Sequence, residues 1–121
     1  MPLAVTDNID LLFRAFSDRT RLRILNLLGG RDEICVCDLM RVLDLPQAKV
    51  SRHLAYLRRA GLVSGRKEQQ WMHYRLLPAK GKFHTKLLEC LNCCLGEVPT
   101  LKSDRQKLGK CCVETNEKCC N

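Results

Sequence analysis

The sequence predicts a mainly α-helical domain that contains one small β-hairpin. Apolar residues recur at helical spacing in several segments, two short β-prone runs follow each other in the second half, and Gly or Pro residues separate these elements. A chain of 121 residues has room for one domain with a core. Its net charge of +8 favours a polyanionic partner, provided that the charges cluster.

Two helices are predicted before the glycine pair at residues 29 and 30. Asp7 or Thr6 can cap the first helix, which ends near Ser17. Its apolar residues at helical spacing are Ile9, Leu12, Phe13 and Phe16. The second helix begins close to Asp18 and stops at the glycines. The next segment, residues 33–36, is short and β-prone.

A short third helix and a longer cationic fourth helix are predicted next. The third runs from Asp38 to Leu43 and is stopped by the turn at residues 44–46, where Pro46 suits the start of the following helix. The fourth lies in the segment PQAKVSRHLAYLRRAG, and a helical wheel places its apolar and its cationic residues on opposite sides. Its core side is formed by Val50, Leu54 and Leu57, and its cationic side by Lys49, Arg52, Tyr56 and Arg59.

The remaining chain predicts a hairpin, a last helix and a tail. The hairpin strands are residues 62–64 and 71–76, joined by a polar, basic tip. The last helix runs from Lys80 to Leu95 and carries an apolar stripe that needs a covering surface. We therefore predict one folded domain over residues 1–95 and a flexible Cys- and Lys-rich tail over residues 96–121.

A helix, a turn, a cationic helix and a hairpin form the layout of a winged helix-turn-helix, which binds double-stranded DNA. The residues predicted to contact bases or phosphates are Gln47, Lys49, Ser51, Arg52, His53, Arg66 and Gln70. A monomer of this size would bind little DNA. We therefore predict a homodimer that pairs through the last helix and the first, with each protomer reading half of a palindromic operator.

The N-terminal stretch predicts a cytoplasmic protein without a membrane segment. Asp7, Asp10 and Arg14 interrupt any apolar run there, so it resembles neither a signal peptide nor a membrane span. Thiols stay reduced in the cytoplasm, and the nine cysteines include adjacent pairs that suit capture of a soft metal or metalloid. The histidines are scattered, and no nucleophile, base and orienting group form a recognisable motif, so an enzyme is not expected.

The segment EICVCDLM places Cys35 and Cys37 one residue apart before the cationic helix. Thiolates are soft ligands and good nucleophiles, so the pair indicates a metal or metalloid site, a redox site, or two small side chains that only fill space. On a regular helix the two side chains would point about 200° apart. They converge only if Cys35 precedes the third helix and Cys37 lies in its first turn.

Four consecutive segments resemble the ArsR/SmtB family of metal-responsive repressors, and specifically its arsenical-resistance branch. These segments are FSDRTRLRILNLL, EICVCDLM, KVSRHLAYLRRAGLV and WMHYRL, within residues 7–95. The resemblance implies a homodimeric winged helix that leaves its operator when an inducer binds. It also implies that Cys35 and Cys37 bind trivalent arsenic or antimony as an inducer, not as a permanent cofactor. A related branch uses the same motif for cadmium or lead.

The third ligand of this site is open, because the sequence departs from the arsenical pattern. That pattern has a third cysteine three residues after the second, where this chain has Met40, and a thioether binds trivalent arsenic weakly. The candidates for a third thiolate are Cys90, Cys93, Cys94, Cys111 and Cys112. Cys90 and Cys94 can equally pack at a dimer interface. The family's zinc site on the last helix is not reproduced by His84 and Glu89.

The sequence therefore predicts a repressor of an arsenic-resistance operon that is released by As(III) or Sb(III). Two alternatives stay open within the same fold: a repressor that responds to cadmium or lead, and a sensor whose thiols are oxidised. An alternative of another class is a cysteine-rich metal buffer, in which the tail pairs at residues 111–112 and 119–120 would scavenge ions.

Overall fold

The computed structural model describes residues 9–93 and 97–114, without the side chains of residues 92 and 110–114. Helices and strands follow in the order α1 (Ile9–Phe16), α2 (Arg19–Gly29), β1 (Ile34–Cys35), α3 (Val36–Leu43), α4 (Gln47–Arg59), β2 (Val63–Glu68), β3 (Trp71–Leu76), α5 (Lys82–Cys93) and α6 (Pro99–Glu114). The predicted winged helix-turn-helix is confirmed. Within the described ranges, no helix is long and apolar enough to cross a membrane.

Helix α2 forms the centre of the core. Asp18 caps it, as its carboxylate accepts a hydrogen bond from the backbone amide of Arg21 at 3.0 Å. Every side chain from Ile24 to Leu28 is buried, and α1, α3, α4, α5 and α6 all pack against this helix. The predicted cap of α1, at residue 6 or 7, lies outside the described residues.

A tight turn joins α3 to α4 and fixes the angle between them. Asp44 ends α3 with a positive φ of 57°, a conformation that Asp tolerates better than most residues. Pro46 then caps α4, and its carbonyl accepts the amide of Val50 at 3.1 Å. Val50, Leu54 and Leu57 are fully buried, which confirms the predicted core side of α4.

The three strands form one antiparallel sheet in the order β1-β3-β2. Strands β2 and β3 are the wing, joined by a two-residue turn at Gln69 and Gln70, and β2 extends further than predicted. Strand β1 contributes only two residues, and it pairs Cys35 with His73 of β3. Residues 33–36 were predicted to be β-prone, and β1 confirms this for its two residues. Sequence patterns did not reveal that this short segment is an edge strand of the wing sheet.

Helix α5 is two residues shorter at its start than predicted, and residues 94–96 lie outside the described part. Leu91 is buried, while Phe83, Leu87 and Leu88 are partly buried against the core. Phe83 packs edge-to-face on Phe13 of α1, with 5.2 Å between the ring centroids. Phe13 is nevertheless 53% exposed, so apolar surface remains uncovered where α1 and α5 meet.

The predicted flexible tail is wrong for residues 99–114, which form helix α6 on the same core. The tail was predicted to be flexible because its composition is polar and Lys-rich. A mainly polar helix can nevertheless be stabilised by tertiary contacts along one narrow face. Leu101, Asp104 and Leu108 form that face and are buried. Asp104 accepts two hydrogen bonds from the guanidinium of Arg23, at 2.7 and 3.0 Å. The folded domain therefore extends well beyond residue 95.

Candidate DNA interface and thiol site

The outer face of α4 is cationic and accessible. Gln47, Lys49 and Arg52 are exposed and Ser51 is half-buried, on the side opposite the buried apolar residues. The helix contains no carboxylate, and its N-terminal end adds the partial positive charge of the helix dipole. An exposed helix with this charge can lie in a major groove and bind phosphates at its edges.

Arg66 of the wing, predicted to contact phosphate, is held by two carboxylates, one from Glu33 before β1 and one from Glu68 of β2. Its guanidinium donates two hydrogen bonds to Glu33, at 2.7 and 2.6 Å, and one to Glu68 at 2.6 Å. The bonds to Glu33 and then to Glu68 raise the pKa of Arg66, and the bonds from Arg66 lower the pKa of Glu33. Gln70 is exposed at the turn of the wing. A phosphate of DNA would therefore compete with these two carboxylates for the Arg66 guanidinium.

Replacing Glu33 by Gln should strengthen DNA binding. The substitution removes the charge of the carboxylate that makes two of the three hydrogen bonds to Arg66. A freer guanidinium adds one phosphate contact per protomer, so the slope of log affinity against log salt should steepen by up to about 0.9 for each contact. Fluorescence anisotropy on labelled DNA over a salt series measures this slope. Glu89→Gln, on the far helix α5, is the control, and equal slopes in both variants would contradict the expectation.

His53 differs from the other predicted DNA-contacting residues, because it faces α2. Its Nδ1 lies 3.5 Å from the guanidinium of Arg21 and 3.9 Å from the carboxylate of Asp18, and the ring is half-buried. Burial, more than any neighbouring charge, lowers the pKa of His53. Arg21 also stacks on the ring of Tyr56 at 4.2 Å. The local contacts of His53 thus fasten α4 to α2.

The stability of the domain should fall as the pH is lowered through the histidine range. Burial lowers the pKa values of both His53 and His84 from the ordinary value of 6.5. The unfolded chain therefore binds more protons than the folded chain below about pH 6.5, and protonation favours unfolding. Urea denaturation at pH 7.5 and pH 5.5 should give a lower midpoint at pH 5.5, and the H53Q/H84Q variant should lose part of this difference. A midpoint that is constant or rises would contradict it.

Cys35 and Cys37 meet at the front of α3. Cys35 is its N-cap residue, and its Sγ lies 3.4 Å from the backbone amide of Cys37, which donates to it. The two sulfur atoms are 2.7 Å apart. The predicted geometry, with one cysteine before the helix and the other in its first turn, is confirmed. Two sulfurs in contact can share one soft ion or be joined by oxidation.

Within the described residues, Cys37 is the accessible member of the thiol pair. Cys35 is 1% exposed, whereas Cys37 is half-buried and lines an open depression of about 510 Å³. Met40, Arg41, Asp44, Leu45 and Pro46 line the same depression. Met40 thus lies on the accessible side of the pair, in the position where the resembled branch has its third cysteine. An ion from solvent would meet Cys37 first.

Of the other predicted ligands, the structure describes the side chains of Cys90 and Cys93. Cys90 and Cys93 are exposed on α5, and Cys94 lies outside the described residues. Helix α6 includes residues 111 and 112, but the side chains of these cysteines are not described, and residues 119 and 120 are outside the described ranges. Among the side chains that are described, no group of three His, Cys, Asp or Glu residues can hold a metal ion.

His73 and His84 lie apart from each other and from α4. His73 is on the wing, 4.0 Å from the carboxylate of Glu33. His84 is buried, and its Nδ1 accepts the backbone amide of Lys80 at 3.1 Å. Its Nε2 has no hydrogen-bond partner within the described part of the chain. Both histidines therefore make local contacts within the fold, as side chains with a packing role do.

Comparison with known proteins agrees with this fold. The family model for bacterial regulatory proteins of the arsR family matches residues 18–64. The arsenical resistance operon repressor of Escherichia coli is 47% identical over 78 residues, which are 64% of this chain and 67% of that protein. The chain belongs to the arsR family. The arsenic resistance transcriptional regulator ArsR1 of Pseudomonas putida is 46% identical over 68 residues, 56% of this chain and 53% of that protein.

A solved structure also supports the arsR-family fold. HlyU from Vibrio cholerae is 36% identical, covers 72% of this chain and 90% of its own, and has a TM-score of 0.61. The matched part of the chain spans between about half and two thirds of the arsenic-resistance relatives. As an arsR-family protein, this chain is a DNA-binding regulator of transcription with a winged helix. Sequence reasoning missed two of its features, the Glu33–Arg66 pair and helix α6.

Proposed function

We propose that this arsR-family protein is a transcriptional repressor that occupies its operator as the free protein and is released when As(III) or Sb(III) binds Cys35 and Cys37. The observation that carries the proposal is the contact between the two sulfurs at the front of α3, 2.7 Å apart. The relatives named above, an arsenical-resistance repressor and an arsenic-resistance regulator, support it. The proposed inducer is a soft metalloid that binds reversibly, in the reducing environment of the cytoplasm.

The DNA-bound form is proposed to be a homodimer. Helix α4 enters the major groove, where Gln47 and Ser51 hydrogen-bond to base edges and Lys49 and Arg52 bind phosphates. Gln70 and, once released from its carboxylates, Arg66 bind DNA from the wing. Phe13 and the partly buried apolar side chains of α5 supply the dimer surface, because this part of each protomer is left uncovered.

Ion binding at the thiol pair can affect both proposed DNA-contacting elements, helix α4 and the wing. Cys37 lies in α3, which leads through the tight turn at Asp44 into α4. Cys35 lies in β1, which pairs with the wing strand β3 at His73. An ion that changes the distance between the sulfurs can move one or both of these elements. It needs only to bind the DNA-incompetent state better, and a coupling free energy of about 1 to 3 kcal/mol changes operator affinity about 5- to 150-fold.

A titration on DNA tests this function. The protein is bound to a labelled fragment of the DNA upstream of its own gene, and arsenite, antimonite, cadmium, zinc and peroxide are added in turn. We expect release by arsenite and antimonite at concentrations where zinc has no effect. Binding that survives all five additions would contradict an inducible repressor. Absence of sequence-specific binding together with uptake of many ions per chain would instead indicate a metal buffer.

A thiol-oxidation sensor is the second candidate, and the contact between the sulfurs favours it too. Peroxide could oxidise the two thiols to one disulfide, with two electrons and two protons passing to the oxidant. Release by peroxide but not by arsenite in the same titration would select this candidate. Release by cadmium alone would select the cadmium- or lead-responsive alternative.

A further inference from the structure

We propose that Arg21 is a positioning residue that sets the rotation of helix α4 and thereby the preference of the protein for its operator over other DNA. The inference rests on the proposed function, in which α4 lies in the major groove. Arg21 makes no base contact in this proposal. It acts through two side chains of α4, Tyr56 and His53, and through the end of α1.

The guanidinium of Arg21, in the first turn of α2, joins the end of α1 to the side of α4. Its Nη2 donates to the carbonyl of Arg14 at 2.8 Å, and its Nε donates to the carbonyl of Ala15 at 3.2 Å. Its central carbon lies 4.2 Å from the centre of the Tyr56 ring, and Nη1 lies 3.5 Å from Nδ1 of His53. One charged group therefore contacts both neighbouring helices.

The position uses the shape of arginine as well as its charge. The last four carbonyls of a helix lack intrahelical amide partners and form the negative end of the helix dipole, so the end of α1 attracts a cation. A planar guanidinium can donate to these carbonyls in its plane while its face stacks on the ring of Tyr56. Lysine carries the same charge without a planar face. It can replace the charge at this position but not the stacked contact.

The other described contacts of α4 constrain its rotation less. Val50, Leu54 and Leu57 bury its apolar face, and apolar burial is non-directional. His53 and Tyr56 are three residues apart and half-buried, so they lie on one side of α4, beside the buried face. A directional contact on that side resists rotation of the helix about its own axis.

The rotation of α4 matters more for base contacts than for phosphate contacts. Hydrogen bonds to base edges need donors and acceptors in fixed positions, whereas a flexible cationic side chain can reach a phosphate from several positions. The proposed base contacts come from Gln47 and Ser51 of this helix. Loss of the Arg21 contact should therefore weaken specific binding and leave phosphate binding unchanged.

Arg21 also relates α4 to the proposed dimer surface. Phe13 of that surface directly precedes Arg14, whose carbonyl Arg21 binds. In a dimer this contact would help to set the distance between the two α4 helices, and the preferred spacing of half-sites reflects that distance. One base pair inserted at the centre of the operator should therefore weaken binding of the unmodified protein more than binding of a variant without the contact.

Arg21→Lys tests the inference in the full-length protein, because it keeps the charge and removes the planar group. We expect operator affinity to fall about 5- to 150-fold, the effect of one base contact, while affinity for a scrambled fragment stays within about twofold. The slope of log affinity against log salt should stay unchanged, since no phosphate contact is lost. The matched control is Arg19→Lys, at an exposed position of α2 beside Val98 and Thr100, which should bind the operator normally.

Tyr56→Leu is the second variant, because it removes the other half of the stacked contact. It should also lower operator affinity and spare the scrambled fragment. The double variant R21K/Y56L should lose no more than about twofold beyond the larger single loss, since both substitutions break one contact. Losses that multiply in the double variant would overturn the inference.

The unmodified protein and Arg21→Lys are compared on the operator and on the scrambled fragment by fluorescence anisotropy. Equal operator affinity of the two proteins would overturn the inference. An equal fall on both DNAs would also overturn it, because Arg21 would then serve phosphate binding or the stability of the fold. Absence of any preference for the operator in the unmodified protein would instead refute the proposed function.

Discussion

Replacing Cys35 and Cys37 by serine should leave operator binding within about twofold and abolish release by arsenite. In the unmodified protein we expect arsenite to lower operator affinity about 5- to 150-fold. Serine suits both positions structurally. At residue 35 its hydroxyl can accept the amide that now donates to Cys35 Sγ, since serine is a favoured N-cap residue. At residue 37 it faces the open depression. The variant should therefore fold and bind DNA but lack the soft ligands.

Fluorescence anisotropy with and without arsenite measures both properties of this variant. The control is C90S/C93S, in which two exposed thiols of α5 are removed and release should be normal. Normal release in the variant at residues 35 and 37 would refute the site. A second outcome is a variant that keeps its circular dichroism spectrum but loses operator binding in the absence of arsenite. That result would mean that the two sulfurs themselves stabilise the DNA-bound state.

The K49A/R52A variant should lose most operator affinity without loss of stability. Both side chains are exposed on α4, opposite the buried residues Val50 and Leu54, so their removal leaves the core intact. A lost contact to phosphate or base is worth about 1 to 3 kcal/mol, or roughly 5- to 150-fold. The slope of log affinity against log salt should decrease by about 0.9 for each phosphate contact removed.

A charge-matched control separates this effect from net charge. K86A/K102A also removes two exposed lysine charges, but from α5 and α6. It should bind the operator nearly as tightly as the unmodified protein. Equal losses in the two variants would mean that α4 makes no special contact and that net charge alone attracts DNA. Urea denaturation should give similar midpoints for both variants, because each changes only solvent-exposed side chains.

Sequence patterns predicted the DNA-binding half of the fold because its signals are local. The separation of apolar and cationic residues around α4 is complete within thirteen residues, and the prediction of its core side is confirmed. The position of Cys35 before α3 also followed from local geometry, since two cysteines one residue apart cannot converge within a regular helix. The contact residues on DNA stay predictions.

Non-local contacts account for what the sequence did not reveal. Strand β1 has only two residues, and its pairing with β3 joins positions 35 and 73 across nearly forty residues. The partner of Arg66 is Glu33 for the same reason. Among the described side chains of helix α6, the buried ones form one face of three residues. Its composition therefore resembles that of a solvated tail, and its contacts with Arg23 and Asn26 are visible only in the fold. The spacing of Leu101, Asp104 and Leu108, three and four residues apart, was the sequence signal from which this helix could have been predicted.

These non-local contacts matter for regulation, because they connect the thiol pair to more than the recognition helix. Glu33 precedes the pair by two residues and holds Arg66, a candidate phosphate ligand on the wing. A shift of β1 on ion binding would change this ion pair together with the pairing to β3. The wing and α4 can therefore respond to the same event, one through β1 and the other through α3.

The most direct test of this coupling is the affinity of the protein for arsenite, measured with and without saturating operator DNA. Thermodynamic linkage requires that the two ligands weaken each other by the same factor. The account predicts that operator DNA lowers arsenite affinity about 5- to 150-fold, equal to the loss of operator affinity caused by arsenite, and that C35S/C37S shows no such effect. Equal arsenite affinity for the free and the DNA-bound protein would contradict it.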